Sequence, residues 1–188
     1  MLGLPRGGVP VAFEVARALG APLDVVVVRK LGVPGHEELA FGAVASGGLR
    51  VLNPEVARDL PLSVVDDVTA RQQRELVARE ASYRGNRPAL DLSGRTVVLV
   101  DDGLATGATM RAAVAAVRRQ GPSSVVVAVP VGAAPTCELL RHPGEAPGAD
   151  AVFCALTPAP FVAVGAWYQD FSPTTDDEVR RLLERARG

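Results

Sequence analysis

The residues best suited to chemistry stand together at positions 96–109. Thr96-Val97-Val98-Leu99-Val100 runs into two carboxylates, Asp101 and Asp102, and then into Gly103-Leu104-Ala105-Thr106-Gly107-Ala108-Thr109. Carboxylates accept hydrogen bonds and hold cations, so their natural partners are hydroxyls or a metal ion. The first amides of a helix lack intrahelical partners and, with the helix dipole, attract anions. Gly107 lets the backbone approach an anion closely, while Thr106 and Thr109 add hydroxyl donors. The dipole alone contributes about 0.3–2 kcal/mol. Each charge-assisted bond to a phosphate adds about 1.5–3 kcal/mol. Acid pair, Thr-Gly turn and helix therefore suit a ribose 5-phosphate, with its hydroxyls on the acids and its phosphate on the turn.

Two further segments carry anion-binding chemistry. Leu4-Pro5-Arg6-Gly7-Gly8-Val9-Pro10 joins a strand to a helix, with a permanent forked cation at Arg6 and two glycines that permit unusual backbone conformations. Arg29-Lys30-Leu31-Gly32 follows an aliphatic run and puts two cations in what reads as a third loop at the same sheet edge. In open α/β sheets ligands collect at that edge. The pattern is neither a Walker loop nor a dinucleotide Gly-x-Gly-x-x-Gly fingerprint.

The elements that must position these groups follow from periodicity. Short β-branched runs alternating with helical stretches predict an α/β fold with a mostly parallel twisted sheet flanked by helices. Strands are expected at 1–4, 23–28, 96–100, 125–131 and 151–156, and helices at 9–19, 109–119 and 136–141. Residues 39–52 read as a hairpin around Gly47-Gly48. Asn53 caps a short helix with Pro54 at its first position. A long polar helix is expected from Ser63 to Tyr83, with Asp66 three residues after the cap. The last helix starts at Thr175, with Glu178 completing a capping box, and ends at Arg187. The whole of 1–188 reads as one domain.

Composition narrows the classes. Of 188 residues, 48% are hydrophobic and 22% charged, which suits a globular core, and a net charge of −1 makes nucleic acid an unlikely partner. No apolar stretch is long enough for a membrane span and no signal-peptide pattern is visible, so the cytoplasm is expected. Cys137 and Cys154 show no metal-ligand spacing and read as reduced, buried packing residues.

The 96–109 segment resembles the signature of type I phosphoribosyltransferases: hydrophobic strand, two acids, and a loop ending Thr-Gly-x-Thr. The segment around Arg6-Gly7-Gly8 resembles that family's pyrophosphate loop, and Arg29-Lys30-Leu31-Gly32 resembles the Arg-Lys-x-Gly of some members. The start Leu4-Pro5-Arg6-Gly7-Gly8-Val9-Pro10 is similar to that of a bacterial phosphoribosyltransferase-like subgroup. The resemblance implies transfer of a 5-phosphoribosyl group from phosphoribosyl pyrophosphate to a nitrogen acceptor, with Mg2+ held mainly by the substrate. It assigns Asp101, Asp102, Arg6 and Lys30 to catalysis. Asp101, Asp102, Gly103, Ala105, Thr106, Gly107, Ala108 and Thr109 take the ribose 5-phosphate, and Arg6, Gly7, Gly8, Arg29 and Lys30 the pyrophosphate. It implies an unusual, cis or strained Arg6–Gly7 peptide and a mobile shielding loop, for which 32–38 or the neighbouring hairpin is the candidate. A hood over 157–174 would offer Trp167 and Tyr168 to the acceptor. A homodimer is a further implication. The alternative is a non-catalytic sensor of the same donor.

Overall fold

The computed structural model describes residues 1–85, 87–142 and 147–186. Its larger sheet holds β1 (Leu2–Gly3), β2 (Asp24–Val25), β6 (Thr96–Val100), β7 (Ser124–Val131) and β8 (Ala151–Leu156), all parallel, in the order β2-β1-β6-β7-β8. A smaller antiparallel sheet is formed by β3 (Val28–Val33), β4 (His36–Ala45) and β5 (Leu49–Leu52). The helices are α1 (Gly8–Leu19), α2 (Pro54–Ala57), α3 (Leu62–Arg84), α4 (Ala108–Arg118), α5 (Ala134–Arg141) and α6 (Asp176–Arg185). The expected α/β class is observed.

The chain turns one way from β1 (through α1 to β2) and the other way from β6 (through α4 to β7). The strand order therefore reverses between β1 and β6, and a crevice opens at their carboxyl ends. Register fixes its width. Gly3 lies beside Val100, and the amide of Leu4 donates to the carbonyl of Val100 at 2.9 Å. The two loops thus leave the sheet side by side.

Alternate residues of β6 and β7 serve opposite faces, as strand geometry requires. Val97 and Leu99 of β6, with Val125, Val127 and Val129 of β7, pack under α4 and α5. Val100 joins the core on the other face, with Val9, Phe13 and Ala16 of α1, Leu76 and Tyr83 of α3, and Val179 and Leu183 of α6. Arg84 at the end of α3 forms a buried ion pair with Asp24 at 2.9 Å and also donates to the carbonyl of Val25 at 2.7 Å, which locks α3 to the β2 edge.

Several expectations require correction. The run 23–28 is not one strand. Partner β1 has two residues, so pairing ends at Val25. Val27 instead gives its amide to Ser46 Oγ at 2.8 Å, and Val28 opens the small sheet. Arg29 and Lys30 therefore sit within β3 and not in a loop, and 32–38 is the tip of the β3–β4 hairpin. The long helix starts at Leu62 after Pro61, with no side-chain cap, and Asp66 pairs with Arg50 instead. The Asn53 cap and the Thr175 cap form as expected. The last helix ends at Arg185, and the expected end at Arg187 lies outside the described residues.

Cys137 and Cys154 are bonded to each other as a disulfide, not reduced. The reason is spatial: α5 packs on β8 and brings residues 17 apart in sequence together. Closing a loop of that length stabilises by about 3 kcal/mol in the chain-entropy treatment. Reduction with a phosphine should therefore lower the melting temperature by about 2–4 °C per kcal/mol lost. Calorimetry with and without reductant measures this, and an unchanged transition means the bond contributes nothing.

Candidate functional site

At the end of β1 the chain passes through Leu4 and Pro5 to Arg6, and the Pro5–Arg6 peptide is cis. The unusual peptide falls one bond before the expected Arg6–Gly7 position. The two glycines are needed for a different reason from the one expected. Gly7 has ordinary helical angles (φ −60°, ψ −32°), and Gly8 begins α1. What excludes a side chain is closeness. A Cβ on Gly7 would overlap the carboxylate oxygen Oδ2 of Asp102. A Cβ on Gly8 would lie 2.6 Å from the carbonyl oxygen of Val100 and 2.8 Å from Cα of Asp101. The β1 loop and the acid pair are in direct van der Waals contact.

Burial dominates the electrostatics of the acids. Asp101 accepts a bond from the amide of Asp102 at 2.9 Å. Its carboxyl is raised from the ordinary 3.8 to about 7, first by burial and then by the neighbouring Asp102 charge. Asp102 is also pushed up by burial, against backbone bonds that favour its charged form. The pair therefore favours a cationic or hydroxyl-bearing neighbour over more negative charge.

The loop after Asp102 is strapped to the β7–α5 connection. Leu104 donates its amide to Val131 at 2.9 Å and accepts from the amide of Ala133 at 2.8 Å. Thr136 Oγ1 donates to the carbonyl of Ala105 at 2.6 Å, and Arg111 reaches back to the carbonyl of Thr106 at 3.0 Å. Gly107 takes a left-handed conformation (φ +71°), which favours glycine, and caps α4. The amides of Ala108 and Thr109 then open the helix beyond exposed Ala105 and Thr106. Gly103, Ala105, Thr106, Gly107, Ala108 and Thr109 thus form one turn directly following the acids.

Segment 157–174 comes back across this edge. Val164 packs onto Gly103, where a Cβ would meet its methyl groups at 2.6 and 2.7 Å. Tyr168 donates its hydroxyl to the carbonyl of Asp102 at 2.6 Å. Burial, then the Asp102 and Asp101 charges, push that phenol up to about 12. The rings of Tyr168 and Phe171 lie 5.1 Å apart. A cavity of about 670 Å³ results, with Arg6, Gly7, Asp102, Tyr168, Phe171 and Glu178 among its lining residues. Trp167 is half-exposed and lies outside that lining.

The expected basic pair is split. As neighbours on a strand, Arg29 and Lys30 point to opposite faces of the small sheet. Arg29 donates to Gln72 at 2.9 Å and pairs with Glu75, both on α3. Lys30 is exposed. Among the described residues no group of three or more His, Cys, Asp or Glu side chains could hold a metal. Asp101 and Asp102 are hard oxygen donors of the kind that could hold a magnesium ion. Sequence reasoning missed Thr136 and Arg111. Arg111 carries the signal of a cation five residues after Thr106, whereas nothing in the sequence ties Thr136 to a loop 31 residues earlier.

The Phosphoribosyl transferase domain family model matches residues 1–143. A Mycobacterium tuberculosis protein provisionally described as a phosphoribosyl transferase is 52% identical over 188 residues, which are 99% of this chain and 41% of that protein. The chain thus spans less than half the length of that relative. Bifunctional protein PyrR of Chloroflexus aurantiacus is 34% identical over 66% of this chain and 65% of its own. A crystal structure of a Thermus thermophilus protein superposes with a TM-score of 0.83 at 49% identity, over 100% of this chain and 87% of the other.

Two outcomes follow from the site's geometry. The folded chain keeps a proton on Asp101 that the unfolded chain releases between pH 3.8 and about 7. Ionising this buried group therefore costs stability as pH rises through that window. Asp101→Asn escapes the penalty, so its melting temperature should gain on the parent from pH 4 to pH 8. A gap that stays flat shows that Asp101 is an ordinary solvated acid. Gly8→Ala should destabilise by about 1–3 kcal/mol, because the added methyl meets backbone that cannot yield. Urea unfolding measures this, and a change below roughly 0.5 kcal/mol in magnitude, that of a neutral surface substitution, contradicts the tight contact.

Proposed function

The chain belongs to the phosphoribosyl transferase domain family, and from that premise we propose that it transfers a 5-phosphoribosyl group from phosphoribosyl pyrophosphate to a nitrogen acceptor, releasing pyrophosphate. The observation that carries this reading is the contact of Gly7 and Gly8 with the acid pair, which sets an arginine-bearing loop against two carboxylates suited to hydroxyl groups. The turn from Gly103 to Thr109 takes the 5-phosphate on the amides of α4 and the hydroxyls of Thr106 and Thr109. Asp101 and Asp102 hold the ribose hydroxyls and offset positive charge that builds on the sugar as the C1–oxygen bond to pyrophosphate breaks. Arg6 and exposed Lys30 stabilise the departing pyrophosphate. Arg29, on the opposite face of β3 from Lys30 and bonded to Gln72 and Glu75, has no part in this step and secures β3 to α3. Asp101 and Asp102 would help hold a magnesium ion, which would supply charge neutralisation to the departing pyrophosphate.

Segment 157–174 serves as the hood within a single domain, and Tyr168 forms the acceptor side of the cavity. The hairpin tip at 32–38 is the candidate shield against water. Among the described residues no helix is long and apolar enough to cross a membrane, which is in keeping with activity in the cytoplasm.

The test is pyrophosphate release from labelled donor and Mg2+ with a panel of purines, pyrimidines and other nitrogen acceptors. Asp101→Asn with Asp102→Asn should reduce the rate about a hundredfold or more. An unchanged rate refutes the role of the acids. Tight donor binding without turnover on any acceptor would support a donor-sensing regulator instead.

A further inference from the structure

The proposed phosphate turn does not support itself. Its middle residues, Ala105 and Thr106, are exposed and belong to neither β6 nor α4. Their geometry is held from outside by Thr136, in the first turn of α5. Thr136 touches the turn at two points. Its hydroxyl donates to the carbonyl of Ala105 at 2.6 Å. Its methyl would lie 2.6 Å from a Cβ built on Gly107, so the left-handed glycine and the threonine methyl pack closely. One side chain thus bonds the oxygen that must face away from a phosphate and packs beside the glycine that caps the amide-bearing helix.

Its own position is firmly set. The amides of Thr136 and Cys137 both donate to the carbonyl of Ala133, at 2.9 and 3.0 Å, and Ala133 is itself bonded to Leu104. Cys137, the next residue, is fully buried and bonded to Cys154 of β8. Gly132 completes the seat, since a Cβ there would lie 2.8 Å from the Cys137 sulfur and 3.2 Å from Cβ of Leu104. The path from β8 to the turn is a continuous series of short contacts.

We propose that Thr136 is a positioning residue for the phosphate turn. It holds the carbonyl of Ala105 turned away from the ligand, so that the Thr106 amide of the same planar peptide points the other way, toward a phosphomonoester seated before α4. This rests on the reading of that turn as the 5-phosphate site. Carbonyl and amide belong to the same chain segment, so a carbonyl freed to rotate turns its neighbouring amide with it. A carbonyl oxygen pointing at a phosphate repels it.

Thr136→Val keeps the methyl and the shape but loses the donor, and Thr136→Ser keeps the donor. Ribose 5-phosphate and pyrophosphate are titrated separately into each protein by calorimetry. Thr136→Val should weaken ribose 5-phosphate by about three- to tenfold, the worth of one hydrogen bond, and leave pyrophosphate within about twofold. Thr136→Ser should stay within about twofold of the parent for both ligands. Equal losses for both ligands in Thr136→Val mean general loosening and overturn the proposal, as does full affinity for ribose 5-phosphate. If the parent binds pyrophosphate but no ribose 5-phosphate, the phosphate-site reading fails, and the proposal with it. Melting temperatures of both variants establish that each is folded.

Discussion

The contact between two glycines and two carboxylates governs this molecule. Gly7 and Gly8 lie so near Asp102 and Asp101 that a methyl on Gly8 would meet backbone and one on Gly7 would displace the Asp102 carboxylate. Parallel strands lie just under about 5 Å apart, and β1 and β6 are direct neighbours in register. Loops leaving such strands in the same direction must either diverge or be stripped of side chains. Here the chain does both: α1 turns towards β2, α4 turns towards β7, and the two glycines leading into α1 carry no side chain. The crevice between them is therefore a result of topology, and the arginine and the acids at its edges are placed by strand register, with no need for flexible loops to find one another.

The acids show how the same packing sets charge. Burial near the sheet edge raises both carboxyls, and their proximity raises Asp101 further. Segment 157–174 lies against the same stretch of chain. Val164 covers Gly103 and Tyr168 bonds to the carbonyl of Asp102, so the aromatic side of the cavity and the acidic side share one stretch of backbone. A shift of Tyr168 would be felt at Asp102 through a single hydrogen bond. Covering the site and tuning its electrostatics are thus one structural act.

Much of this was legible in the sequence because it was local. The signature strand 96–100, the helix after Gly107, the hairpin over 39–52, and the caps at Asn53 and Thr175 all follow from contiguous residue types. What escaped was non-local. The run 23–28 looks like one strand, yet its length is set by a two-residue partner at the other end of a helix. Arg29 and Lys30 look like a loop pair, yet an antiparallel sheet sends them to opposite sides. The Cys137–Cys154 bond and the grip of Thr136 on Ala105 depend on how α5 lies across β8, and no periodicity carries that information. Even the glycine pair was read for its freedom of rotation, when its value lies in the atoms it lacks.

A carboxyl that titrates near neutrality gives the crevice a charge that is not fixed. A charge placed beside Asp101 would then shift its protonation, and the potential at the crevice with it. A guest with positive character would favour release of that proton to solvent. Association is then coupled to the acidity of the surroundings, and the heat measured for it includes the heat of protonating whichever buffer accepts the proton.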